Sequence, residues 1–141
     1  MSNLLLGKIK QNALIVKIRQ NPLHIVYGLG FIYIGLWLMR HDHYFIWPPQ
    51  YADYLNDDTV GYSFFLIGSS ILVWTFIRDH ARNWDEFNLI TAGTVMFLLA
   101  ICQLMSGLVG EYPMHSTLDW IASMMITFGI ADLARRSDNG D

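Results

Sequence analysis

Three potential metal ligands stand in a row at His41-Asp42-His43, in a chain of five histidines. Imidazole and carboxylate groups together suit zinc or a similar divalent ion. His115 falls on the same side of the topology derived below, with Asp53, Asp57, Asp58 and Glu111. His41, His43 and His115 are therefore the candidate metal ligands. Their spacing does not select this reading, because no His-x-x-x-His pair puts two imidazoles on one helical face. A solvated interfacial loop would use the same residues. Asp79-His80, close to Arg82 and Asp85-Glu86, reads as a wet turn between two apolar stretches. His24 opens the first apolar stretch, where a neutral imidazole is tolerated at a membrane interface. The sequence contains no Gly-rich phosphate loop, no serine elbow and no paired carboxylates in apolar surroundings. The expectation is a protein that is not an enzyme and requires no cofactor. The single cysteine, Cys102, lies in an apolar run, where a small packing residue suffices and no internal disulfide can form.

The elements that carry these residues follow from composition. The 141 residues suffice for one domain and are 53% hydrophobic but only 15% charged, against about 25% charged in soluble domains. A helix needs about 20 apolar residues to cross the bilayer core, with a range of about 17 to 25. Four stretches meet or approach that length, at about 23–39, 60–77, 89–109 and 116–133. The last is the weakest, since Asp119 and Asp132 lie near its ends. Pro22 suits the first turn of a helix, Asp58 with Thr59 and Asp85 are candidate caps, and Ser116 with Asp119 has capping-box spacing. Pro48-Pro49 excludes a continuous helix between the first two spans.

Four crossings put both termini on one side. That side carries Lys8, Lys10, Lys17, Arg19, Arg78, Arg82, Arg135 and Arg136, and the other carries only Arg40. The asymmetry predicts that both ends are cytoplasmic, in the inner membrane. The segment 1–21 holds Lys8, Lys10, Lys17 and Arg19 without an acidic residue. It is expected to sit against the anionic headgroups of the bilayer, and its charges interrupt any apolar core of a secretory signal. Aromatic residues from Trp37 through the loop to Tyr62, with Tyr112 and Trp120, cluster at the outer interface. The segment 22–134 is the transmembrane domain, and 135–141 reads as a short, charged, disordered cytoplasmic tail.

Lipid tails are as apolar as leucine, so close backbone approach at small residues must hold such helices together. Each span has small residues seven apart: Gly28 and Gly35; Gly61 and Gly68; Gly93, Ala100 and Gly107; Ala122 and Gly129. Seven residues make two turns, the repeat of left-handed packing. The expected fold is an all-α membrane protein, an antiparallel four-helix transmembrane bundle with these stripes facing inward. No Asp, Glu, Lys or Arg lies in the middle third of a span, which argues against an ion or proton pathway. Among the mild polar groups Gln103 stands out, because an unpaired amide in lipid is costly.

The run HIVYGLGFIYIGLWLM and the loop RHDHYFIWPPQYADYLNDD give residues 8 to 78 a texture similar to small multi-span membrane proteins of Gram-positive bacteria and their prophages. In organisation the chain also resembles holins, with several spans, basic cytoplasmic ends and no catalytic residues. That resemblance implies oligomers that permeabilise the cytoplasmic membrane, although the short tail, with Arg135 and Arg136 its only basic residues, departs from many of them. Three functions remain open. The first is a non-catalytic protein acting through helix packing with membrane-protein partners or as a homo-oligomer, in an accessory, immunity or regulatory role. The second is a holin-like pore. The third is an outer-surface metal or small-ligand site. Basic charge divided among short segments at a membrane face argues against nucleic acid as a partner.

Overall fold

A computed structural model describes residues 21–41, 44–45, 49–77, 82–109 and 113–139. The basic segment with Lys8, Lys10, Lys17 and Arg19, as well as His43 and the side chain of His115, lies outside the described residues. The described chain is all helical, with no strand. Four long helices are α1 (Pro22–Leu38), α3 (Asp58–Phe76), α4 (Arg82–Val109) and α5 (Pro113–Asn139), and α2 (Ala52–Leu55) is a single turn.

The local chemistry explains most of the boundaries. Pro22 occupies the start of α1, where its missing N–H costs nothing. The cap of α3 is Asp57, one residue before the pair expected from the sequence. Its carboxylate accepts from the Thr59 N–H and hydroxyl, both at 3.1 Å, and Asp58 adds negative charge to the first turn. Asp85 does not cap α4. The helix starts at Arg82, and Asp85 lies within its first turn, buried. Likewise α5 begins at Pro113, so Ser116 is inside the helix rather than at its cap. At the other end α5 continues through Asn139, so Arg135, Arg136 and Ser137 are helical rather than a loose tail.

Among the described residues, two helices are long and apolar enough to cross a membrane: α3 with the turn before it, Ala52–Phe76, and α4 over Asn83–Val109. The apolar α1 has 17 residues, about 26 Å at 1.5 Å per residue. The 27 residues of α5 exceed the bilayer core in length but include Asp119, Asp132, Arg135 and Arg136.

The helices pack as two pairs, α1 with α3 and α4 with α5, joined by a slighter contact between α3 and α4. The first pair closes on glycine. A Cβ on Gly35 would lie 2.5 Å from the Gly61 carbonyl oxygen, and one on Gly68 would lie 2.5 Å from the Gly28 carbonyl oxygen. The pairing of Gly28 with Gly68 and of Gly35 with Gly61 makes α1 and α3 antiparallel. The second pair is built differently. Gly93 faces the Ile130 side chain of α5 at an ordinary contact distance of 3.6 Å, and Ala100 is buried. Gly107 is half-buried, Ala122 is exposed, and Gly129 lies against the Tyr27 hydroxyl of α1 rather than against α4.

Between the pairs lies a core that includes Phe31, Phe64, Ile71, Leu89, Met96, Leu99 and Ile130. Buried residues on α1 are 24, 28, 31, 35 and 38, and on α3 they are 61, 64, 68, 71 and 75. Steps of three and four alternate, so one narrow face of each helix turns inward. The opposite faces stay apolar and open: Val26, Leu29 and Leu36 on α1, Phe87, Ile90 and Leu98 on α4, Leu118, Met125 and Phe128 on α5. Such extended apolar exposure suits a bilayer or a partner, not water.

Candidate functional site

The described polar side chains that bridge helices gather mainly at the two ends of the molecule. At the end holding the start of α1 and α4, His24 is buried on the same face as Gly28 and Phe31. Its Nε2–H donates to the Asp85 carboxylate, 3.1 Å and 3.3 Å from the two oxygens. The Ser137 hydroxyl of α5 donates to the same carboxylate. The imidazole also stacks on Trp74 of α3, with ring centroids 4.9 Å apart. Asp85 is only 2% exposed, and a carboxylate that deep must be partnered to be tolerated. One side chain thereby ties together the ends of α1, α4 and α5. Serine, histidine and aspartate are all present, but His24 and Ser137 both donate to Asp85. The hydroxyl is not set against the imidazole, so the arrangement does not make a nucleophile.

A second link lies nearby. The Ser70 hydroxyl of α3 donates to Asn88 Oδ1 of α4 at 2.9 Å and accepts from the Trp84 indole N–H at 3.3 Å. The buried Nδ2 of Asn88 has no hydrogen-bond partner among the described residues. Beyond Ser137, Arg136 pairs with Asp132 at 2.7 Å one turn back, both largely exposed. Such a pair contributes about 0–1 kcal/mol.

At the opposite end the loop after α1 folds back over the helices. The Asn56 amide clamps the backbone of Phe45, accepting from its N–H at 2.7 Å and donating to its carbonyl at 2.8 Å. Phe45 is buried, and the clamp holds its neighbour Tyr44 against α4. There Gln103 Nε2–H donates to the Tyr44 hydroxyl at 2.7 Å, and Ser123 of α5 donates to Gln103 Oε1 at 2.7 Å. The amide that stood out in the sequence is thus bonded on both sides. Burial pushes the Tyr44 hydroxyl above its usual pKa, the Gln103 hydrogen bond pulls it back, and the Asp119 carboxylate raises it again. The phenol is neutral at physiological pH.

This chain forms one wall of a crevice of about 390 Å³ between α1, α4 and α5. Tyr33 and Trp37 line it from α1, Met96 and Leu99 from α4, and Asp119 and Ala122 from α5. Trp37 is braced by the His41 ring, stacked at 4.1 Å, and by Tyr44, edge-on at 5.1 Å. Asn56→Ala is expected to destabilise the protein by about 1–3 kcal/mol, because two part-buried backbone groups lose their partners. The same change should make the Tyr44 ring mobile. Thermal unfolding in micelles and the NMR linewidth of labelled Tyr44 would report both, and an unchanged linewidth would remove Asn56 as the positioning residue.

Of the candidate metal ligands, only His41 has a described side chain. Its Nδ1–H donates to the Trp37 carbonyl at 2.9 Å, which leaves Nε2 as its acceptor. No group of three or more His, Cys, Asp or Glu among the described residues could hold a metal ion. Several other hydroxyls in the helices bond locally. Ser69, Thr94 and Thr127 return their hydroxyls to the carbonyls of Phe65, Ile90 and Ser123.

The sequence placed Tyr44 only in the outer aromatic cluster, left Asn56 unassigned and treated His24 and Asp85 as interfacial or capping residues. One signal was available. His24 is one turn before Gly28 on the glycine stripe, so a helix buried along that stripe buries the imidazole as well. Comparison with protein-family models, curated proteins and solved structures finds no match for this chain.

Proposed function

We propose that this chain is a four-span protein of the cytoplasmic membrane, with both ends cytoplasmic, that acts without catalysis by packing against a membrane-protein partner or copies of itself. The observation that carries this reading is the use of its polar groups. Gln103, Ser123, Tyr44, His24, Asp85 and Ser137 are bonded to one another across helices. Ser69 and Thr94 are bonded to their own backbone. What the four helices turn outward is largely apolar.

The orientation rests on the basic residues. Arg135 and Arg136 lie at the His24–Asp85 end, and Arg40 lies at the crevice end, as the positive-inside rule requires for cytoplasmic termini. The alternating three-and-four spacing of the buried residues supports a left-handed antiparallel bundle. A holin-like lesion would need a weakly polar face containing Ser69, Thr94 or Gln103 to line water. The bonding of Gln103 to Tyr44 and Ser123 within one chain favours the packing role instead.

The test combines three measurements in a bacterium expressing the protein. A reporter fused after Asp141 should stay cytoplasmic, while one in the loop near Asp57 should be exported. Single-cell membrane potential should remain steady with the protein in the membrane. A photo-crosslinking side chain at the exposed Phe97 should give one discrete protein adduct. Adducts to lipid alone would sink the packing role, and a sudden synchronous collapse of potential would replace it with permeabilisation.

A further inference from the structure

The crevice between α1, α4 and α5 has a chemistry that the packing role does not use. Its volume of about 390 Å³ falls within the range of small-molecule sites, about 300–1,000 Å³. Met96 and Leu99 contribute apolar lining, and Tyr33, Trp37 and Tyr44 contribute aromatic lining. Asp119 supplies a carboxylate, and among the described residues no Lys, Arg or His lines the cavity. Neither salt bridge among the described residues engages Asp119. The walls are held in place: Gln103 joins Tyr44 to Ser123, Asn56 anchors the loop, and His41 supports Trp37.

We propose that this crevice binds a small organic ammonium cation with an apolar body. Aromatic faces attract a cation through the negative potential above the ring. A quaternary or alkylated ammonium loses little hydration on entering such a site, unlike a metal ion or a free amine. Asp119 completes the charge and excludes anions. The apolar lining takes the hydrocarbon part. The same ammonium chemistry is presented by a free cation and by a choline headgroup at the outer surface of the bilayer. The site is contained within one chain, so it stands or falls independently of any packing partner.

The test is equilibrium binding of radiolabelled benzyltrimethylammonium to the full-length protein in phosphatidylglycerol nanodiscs. Saturable binding is expected. Neopentylbenzene, the uncharged isostere with carbon in place of nitrogen, should displace the label poorly. Asp119→Asn should weaken binding by at least about tenfold, and Tyr33→Leu by about threefold to tenfold. Both residues are exposed, so unchanged thermal unfolding should verify that the variants fold. Repeating the measurement in phosphatidylcholine nanodiscs separates the two sources. Weaker apparent binding there identifies the headgroup as a competing occupant, and equal binding identifies a free cation as the ligand. No saturable binding to the unaltered protein, or equal affinity in Asp119→Asn, overturns the proposal.

Discussion

Gly68→Ala is expected to force α1 away from α3 and to destabilise the protein by about 2–3 kcal/mol, toward the upper end of overpacking costs. The added methyl would lie 2.5 Å from the Gly28 carbonyl oxygen and 2.8 Å from the Ile32 nitrogen. Both are backbone atoms of the facing helix, so no side chain can rotate out of the way. Gly35→Ala should behave alike, since its methyl would meet the Gly61 oxygen at 2.5 Å and the Phe65 nitrogen at 2.6 Å. Gly28→Ala should be milder, because its nearest obstacle is the Leu72 side chain at 2.8 Å and the facing backbone, the Gly68 oxygen, is 3.1 Å away. Gly30→Ala is the internal control. Nothing lies within 4 Å of its added methyl, and replacing a mid-helix glycine by alanine gains about 0.5–1 kcal/mol. Unfolding of the four variants in one detergent gives the ranking. Equal stability of Gly68→Ala and Gly30→Ala would mean that the glycine contact does not hold the pair.

The second large effect belongs to Asp85. Replacing it with alanine removes the acceptor shared by His24 and Ser137 and leaves the buried imidazole N–H unpaired. An orphaned buried donor costs about 1–3 kcal/mol, and breaking a buried pair by deleting one partner reaches about 3–5 kcal/mol. Asp85→Ala should therefore lose about 3 kcal/mol. That exceeds the average of about 0.6 kcal/mol for an interhelical hydrogen bond in a membrane, which is the scale expected for Gln103. Asp85→Asn keeps the shape and one acceptor and should recover part of the loss. The double variant His24→Leu with Asp85→Leu should be more stable than Asp85→Ala, since no polar group is left stranded. A double-mutant cycle in micelles measures the coupling. Additive losses from His24→Leu and Asp85→Leu would show that the two side chains, although adjacent, do not stabilise each other.

Helical character, the apolar stretches and the inner face of α1 and α3 were legible in the sequence, because they depend on composition and on a local period. Small residues two turns apart in α1 and α3 mark surfaces where backbones can touch, and Gly28, Gly35, Gly61 and Gly68 do touch. The same spacing was a poorer guide in α4 and α5. Gly93 takes the Ile130 side chain, Gly129 lies against Tyr27 and Ala122 opens on the crevice. A small residue states that something fits close by, but not whether the neighbour is a backbone, a side chain or empty space.

Chemistry that joins distant parts of the chain depended on the tertiary structure alone. His24 and Asp85 are 61 residues apart, and Tyr44 and Gln103 are 59 apart. No local pattern connects them, because their meeting depends on how α1 is placed against α4 and on how the loop after α1 folds back. The sequence by itself determined roughly where the four long helices lie and which faces of α1 and α3 turn inward, through periodicity and the absence of charge. Only the tertiary structure decided that Asp85 is a buried link rather than a cap, and that Tyr44 and Asp119 line one crevice. A side chain's environment is a property of everything packed around it.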